Sequence, residues 1–204
     1  MTPPIDSAAI DAAVAVLEHG GLVAMPTETV YGLAADADNE SAVIASYRAK
    51  GRPLNHPLIV HVCGAEAIDF WAENVPESAR MLAAKYWPGP LTLVLQKKPR
   101  CGLFVTGGQD TVALRCPSHP WAHELLRRFA GPTYRGVTAL RPIPSDASAS
   151  CAAHVADDLG LKPEGKLDMI LDGGVCEFGI ESTMLDLSTG KPRLLRHGVI
   201  TRAE

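Results

Sequence analysis

The stretch from Met25 to Val62 packs a turn, a helix, a basic loop and a buried strand into one short span, and it constrains the fold more than any other part of the chain. Gly20-Gly21 releases the apolar run Leu22 to Met25, whose length and punctuation predict a buried strand rather than a helix. Pro26 ends that strand, and Thr27, Glu28 and Thr29 follow where a strand delivers polar groups to a sheet edge. Tyr31-Gly32-Leu33 then turns the chain back. Glu40 to Ala49 has helical spacing, with Val43, Ile44 and Tyr47 on its apolar face and Asn39 or Ser41 as its cap. It runs into Lys50-Gly51-Arg52-Pro53, two cations on a stiff loop beside the predicted strand Leu58 to Val62. Such a pair can hold a phosphate chain, Arg as a fork and Lys as a point charge. The same spacing also suits a solvated basic loop.

With 204 residues and neither a composition break nor a Ser/Gly linker, the sequence reads as one domain over 1–204, with no second domain. A net charge of −4 gives no global attraction to nucleic acid, so any anion site must be local. No apolar run approaches the roughly 20 residues that span a bilayer, and the N-terminus lacks the pattern of a secretory signal. The expectation is a cytoplasmic protein with no membrane partner. Cys63, Cys101, Cys116, Cys151 and Cys176 are scattered, with no CxxC pair, which predicts core or free thiols and no protein-bound metal.

Elsewhere helical and strand patterns alternate, the mark of an α/β fold. Helices are predicted over Ile5 to His19 with an Asp6-Ser7 cap, Ala65 to Asn74, Pro76 to Tyr86, Pro120 to Phe129 capped by Ser118, and Ala152 to Leu159. Strands are predicted over Leu91 to Gln96, Thr111 to Arg115, Met169 to Leu171, Met184 to Leu187 and Arg193 to Arg196. Alternation along Thr111 to Arg115 puts Thr111, Ala113 and Arg115 on one face, setting a hydroxyl beside a guanidinium that can bind a carboxylate or phosphate. His61 sits inside an apolar strand, where core residence is the commoner role. The cluster Lys97-Lys98-Pro99-Arg100 reads either as an RNA contact or as edge protection. Thr133 to Cys151 has neither period and reads as an irregular loop. No GxGxxG follows a strand and no GxxxxGK[ST] occurs, so a nucleotide would need another kind of site.

Read together, PTETVYGL (Pro26 to Leu33), KGRPLNHPLIVH (Lys50 to His61), WPGPLTLVL (Trp87 to Leu95), TVALR (Thr111 to Arg115), GIESTMLDLS (Gly179 to Ser188) and LLRHG (Leu194 to Gly198) resemble the YrdC/Sua5 family of threonylcarbamoyl-AMP synthases. The resemblance implies a twisted mixed sheet with flanking helices around an open, positively charged cleft. It implies that L-threonine, bicarbonate and ATP, with Mg carried by the ATP, give threonylcarbamoyl adenylate and pyrophosphate, for the t6A37 modification of tRNA. RNA, tRNA or t6A-transferase proteins are the implied macromolecular partners. By the same resemblance Lys50 and Arg52 hold the ATP phosphates and carry the catalysis, Thr111 and Arg196 complete the nucleotide side, and Thr27, His61, Arg115 and Ser182 hold L-threonine.

The family's Ser-x-Asn motif, in a segment like APSAN, is missing. Val137-Thr138-Ala139 stands in roughly that place, and no Asn follows Asn74. An out-of-frame Thr133 to Cys151, or a variant loop in which Ser145 or Ser148 substitutes, both predict a remodelled cleft wall. A defective homologue and a non-catalytic RNA-binding module of the same fold are therefore the alternatives to a working synthase.

Overall fold

Asp6 starts the first helix: its Oδ1 accepts from the N–H groups of Ala8 at 2.9 Å and Ala9 at 3.3 Å, satisfying donors that a first turn leaves open. Helix α1 (Ser7–Glu18) then buries Ile10, Ala13 and Leu17. In the computed structural model, residues 2–140 and 149–201 are described. Strand β1 (Val23–Met25) pairs antiparallel with β2 (Gly32–Asp36), and helix α2 (Glu40–Lys50) follows, capped by Asn39 through Ala42 N–H rather than by Ser41. Gly51 closes α2 in the left-handed conformation, φ 60°, which a residue without a Cβ adopts freely.

Strand β3 (Ile59–His61) leads to a 3-10 turn at Ala65–Ala67, the short helix α3 (Ile68–Trp71) and helix α4 (Glu77–Tyr86). Strand β4 (Leu91–Gln96), helix α5 (Leu103–Thr106), strand β5 (Thr111–Arg115) and helix α6 (Pro120–Ala130) come next. Strand β6 (Val137–Leu140), helix α7 (Ala152–Leu159) and strands β7 (Met169–Ile170), β8 (Thr183–Asp186) and β9 (Arg193–Arg196) complete the described chain.

The described strands form one mixed sheet in the order β7-β1-β2-β6-β3-β5-β4-β8-β9. The pairs β1/β7, β3/β5 and β4/β8 are parallel and the others antiparallel. Alternation along the strands feeds two cores. Val23, Met25 and Ala34 pack with α1 and α6, against Leu17, Trp121, Leu125 and Phe129. Ala24, Leu33 and Ala35 face the other way, into the larger core with Tyr47, Val60, Trp71 and Leu93. Strands covered on both faces read as near-continuous apolar runs, which is why Leu22 to Met25 shows no polar side.

Three sequence expectations are corrected. Gly32-Leu33 begins strand β2 instead of a simple turn; its Gly-Leu-Ala-Ala-Asp composition lacks the branched residues that mark a strand. Thr133 to Cys151 is not irregular throughout, because Val137–Leu140 is an inner strand paired to both β2 and β3. A four-residue strand buried on both faces carries too little alternation to be read. Ser118 does not cap α6; its backbone N–H donates to Glu28 Oε2 at 3.2 Å, and Pro120 opens the helix after His119.

His61, 3% exposed, has no hydrogen-bond partner at Nδ1 among the described residues. Burial, with the Arg115 charge beside it, holds its pKa down to about 3. The unfolded chain takes up this proton near pH 6.5. Between those values the unfolded state binds more protons, so stability falls as pH drops through the window. His61→Gln should therefore flatten the loss of Tm between pH 7 and about pH 4; an unchanged slope assigns the acid sensitivity to other groups. Leu93→Ala, at a fully buried site, should cost about 2–5 kcal/mol in urea unfolding, and a cost under ~1 kcal/mol would show that this core relaxes around the cavity.

Candidate functional site

The turn after β1 is built on Thr27. Its Oγ1 donates to Val30 O at 2.6 Å and accepts from the N–H groups of Thr29 and Val30, each at 3.2 Å. This local ring holds the polar turn rigid, with Thr27, Glu28 and Thr29 all buried. Arg115, at the carboxyl end of β5, reaches it from the middle of the sheet. Arg115 Nη1 donates to Thr29 Oγ1 at 2.9 Å, Nε to Gly89 O at 3.4 Å, and Nη2 lies 2.7 Å from Glu28 Oε1. Both charged side chains are almost wholly buried, 4% and 3% exposed, so each is the other's main compensation for lost water.

On the far side, Ser182 precedes β8. Its Oγ shares a hydrogen bond with Thr92 Oγ1 at 2.7 Å and accepts from Arg196 Nη2 at 2.9 Å. Arg196 Nε also donates to Ser182 O at 3.0 Å, and Nη1 pairs with Glu181. Gly198 lets this chain segment close up. A Cβ there would lie 2.3 Å from Thr183 N and 2.5 Å from Ser182 C, so any larger residue would push the β9 segment off the Ser182 backbone.

Between these halves lies a cleft of about 150 Å³ lined by Thr27, Thr29, Arg52, His61, Arg115, Ser182 and Arg196, with Ala139 and Leu140 of β6 in its wall. His61 and Arg115 are neighbours across the parallel β3/β5 pair. The cleft thus offers hydroxyls, a neutral imidazole and three guanidinium groups. Carboxylates on Arg115 and Arg196 offset part of the positive charge expected there, while Arg52 has no ion pair among the described residues. Such a set can bind a small zwitterion through its carboxylate and hydroxyl beside an anionic phosphate. Among the described residues no group of three or more His, Cys, Asp or Glu is placed to hold a metal ion.

Six of the residues singled out from the sequence meet in this cleft: Thr27, Arg52, His61, Arg115, Ser182 and Arg196. Two do not. Thr111 shares a face of β5 with Arg115 but stands four residues away, roughly 13 Å along the strand. Its Oγ1 donates to Gln109 Oε1 at 3.4 Å, and it lines a separate depression with Glu73, Gln96 and Lys97. The expectation of a hydroxyl beside the guanidinium is corrected by that distance. Lys50 lies under the protein surface, its side chain 2% exposed and Nζ 3.0 Å from Asp158 Oδ2.

The basic cluster is also committed internally. Lys98 donates to Asp69 O, and Arg100 pairs with Asp38 at 2.8 Å while stacking 3.7 Å from the Phe70 ring centroid. Strand β4, which the cluster follows, is paired on both sides, to β5 and β8, so the edge-protection expectation is corrected: among the described strands there is no open edge here for these charges to guard. Ser145 and Ser148 lie outside the described residues. Sequence reading missed Glu28 and Gly198. The signal for Glu28 was a carboxylate between two threonines in a chain that must bury an arginine; for Gly198 there was none.

Residues 15–198 match the Sua5/YciO/YrdC family, described as "Telomere recombination". The chain is 45% identical over 182 residues to a threonylcarbamoyl-AMP synthase of Pyrococcus abyssi (strain GE5 / Orsay), covering 89% of this chain and 52% of that protein. It is 42% identical over 193 residues to the threonylcarbamoyl-AMP synthase of Bacillus subtilis (strain 168), covering 94% and 54%. The chain thus spans about half the length of these curated relatives. A crystal structure of P. abyssi Sua5 complexed with L-threonine superposes with a TM-score of 0.88 at 43% identity, over 96% of this chain and 56% of that one. With the family model matched over residues 15–198 and the fold superposing on this relative, the chain belongs to the Sua5/YciO/YrdC family.

Proposed function

We propose that the protein makes threonylcarbamoyl-AMP from L-threonine, bicarbonate and ATP, releasing pyrophosphate, and so supplies the group used for t6A in tRNA. The observation that carries this reading is the convergence of Arg115, Thr27 and Ser182 with Arg52 and Arg196 in one cleft. The relative solved with L-threonine supports the amino acid as one substrate.

In this reading the threonine carboxylate meets the Arg115 guanidinium in the cleft wall, and its hydroxyl meets Thr27 or Ser182. His61 stays neutral at working pH and packs the wall without adding charge. The threonine amine forms an N–C bond with bicarbonate carbon as water leaves, giving the carbamate. A carbamate oxygen then attacks the α-phosphorus, an O–P bond forms, the α–β bridging P–O bond breaks and pyrophosphate departs. Arg52 and Arg196, joined by Lys50 and by the divalent ion that arrives with ATP, offset charge on the transferring and leaving groups. Fixed positive groups supply most of the catalysis, since phosphoryl chemistry asks the protein chiefly for positioning.

Pyrophosphate release by the purified protein should require ATP, bicarbonate and L-threonine together. Release that ignores omission of threonine, or no release with any amino acid, rules this reading out. Arg52→Ala should lower kcat/KM by about 100-fold, the usual scale for losing a preorganised donor to transition-state charge. Arg115→Lys should raise KM for threonine by about tenfold or more, because an ammonium cannot replace the fork; equal KM values would place the carboxylate elsewhere.

A further inference from the structure

Lys50 and Arg52 are two residues apart, yet only Arg52 lines the cleft. The difference arises at the end of α2. Lys50 is its last residue, Gly51 reverses the backbone, and the Lys50 side chain runs the other way, beneath α7. There its Nζ meets Asp158 Oδ2 at 3.0 Å. The Lys50 side chain is 2% exposed and that of Asp158 28% exposed, so the pair opens to solvent only on the carboxylate side. Lys166 tightens the same junction by donating from Nζ to Ala49 O at 3.0 Å, so two contacts from the α7–β7 segment grip the end of α2.

An ammonium held this deeply needs an anion beside it, since burial alone disfavours its charge. Asp158 supplies that anion in the free protein. A phosphate oxygen entering over Arg52 offers the same compensation, and the four-carbon lysine stem rotates where a planar guanidinium would not. We propose that Asp158 is a positioning residue: it parks the Lys50 ammonium against α7 in the free protein and yields it to the phosphate chain of ATP. The proposal rests on Lys50 serving as a phosphate ligand. Its consequence is that ATP binds in competition with an internal carboxylate, so the Lys50–Asp158 pair sets the affinity for ATP without touching threonine.

Calorimetric titration of the full chain with MgATP in the absence of threonine tests this without turnover. Asp158→Asn should tighten ATP binding on the order of tenfold, the scale on which neighbouring charges couple. Asp158→Ser, which admits water to the ammonium, carries the same expectation if the Asn variant proves too unstable to purify. Lys50→Ala should weaken binding, and the Lys50→Ala/Asp158→Asn double variant should bind as Lys50→Ala does. Loss of binding in Lys50→Ala with unchanged or weaker binding in both Asp158 variants overturns the parking role and leaves the phosphate role of Lys50 standing. Unchanged binding in Lys50→Ala removes that role and the proposal with it. Threonine affinity, titrated separately, should be the same in wild type and Asp158→Asn; a parallel shift in both ligands would mark a general loosening of the fold instead.

Discussion

A guanidinium buried in the middle of a sheet has to be answered by the protein itself, and the answer given to Arg115 organises this molecule. Glu28 compensates its charge, Thr29 and Gly89 take two of its donors, and the Thr27 hydroxyl ring keeps that turn from relaxing away. Removing one member of such a pair leaves the other charged and dry, a cost of about 3–5 kcal/mol in comparable cases. The turn after β1 and the end of β5 are thereby locked together, although β2, β6 and β3 stand between those strands in the sheet. The same contacts that stabilise the junction fix the orientation of the Arg115 guanidinium in the cleft wall.

The second organising fact is that the sheet is covered on both sides. Alternate residues of β1 and β2 enter different cores, so the strands carry almost no polar positions except at their ends. Polar side chains are therefore expelled to strand termini and the turns beyond them. Thr27, His61, Arg115, Ser182 and Arg196 all sit at or next to a strand end, and the cleft forms where those ends meet.

Much of this was legible in the sequence. Caps at Asp6 and Asn39, the glycine after α2 and the branched strands Leu91 to Gln96 and Thr111 to Arg115 carry local signals, and the structure follows them. Strands β2 and β6 were hidden because alanine and glycine dominate one and brevity the other; their pairing is decided by neighbours distant in sequence. The site was legible as residue types, and six of the eight residues converge. What spacing could not give was direction. A strand face says which way Thr111 and Arg115 point and nothing about the length between them, and a basic loop says nothing about Asp158, more than a hundred residues on, which takes up Lys50.

The two halves of the cleft also differ in mechanical character. Arg115 is anchored on an inner strand flanked on both sides, whereas Arg196 rides on β9, which among the described strands pairs only with β8 and is mostly exposed. Outer strands lose their hydrogen bonds at lower free energy than inner ones. One wall of the cleft is thus a fixed template, and the other is an outer strand held down where Gly198 packs against the Ser182 backbone. In the proposed reading, where the site grips one small ligand while another is broken apart, stiffness is distributed in that order.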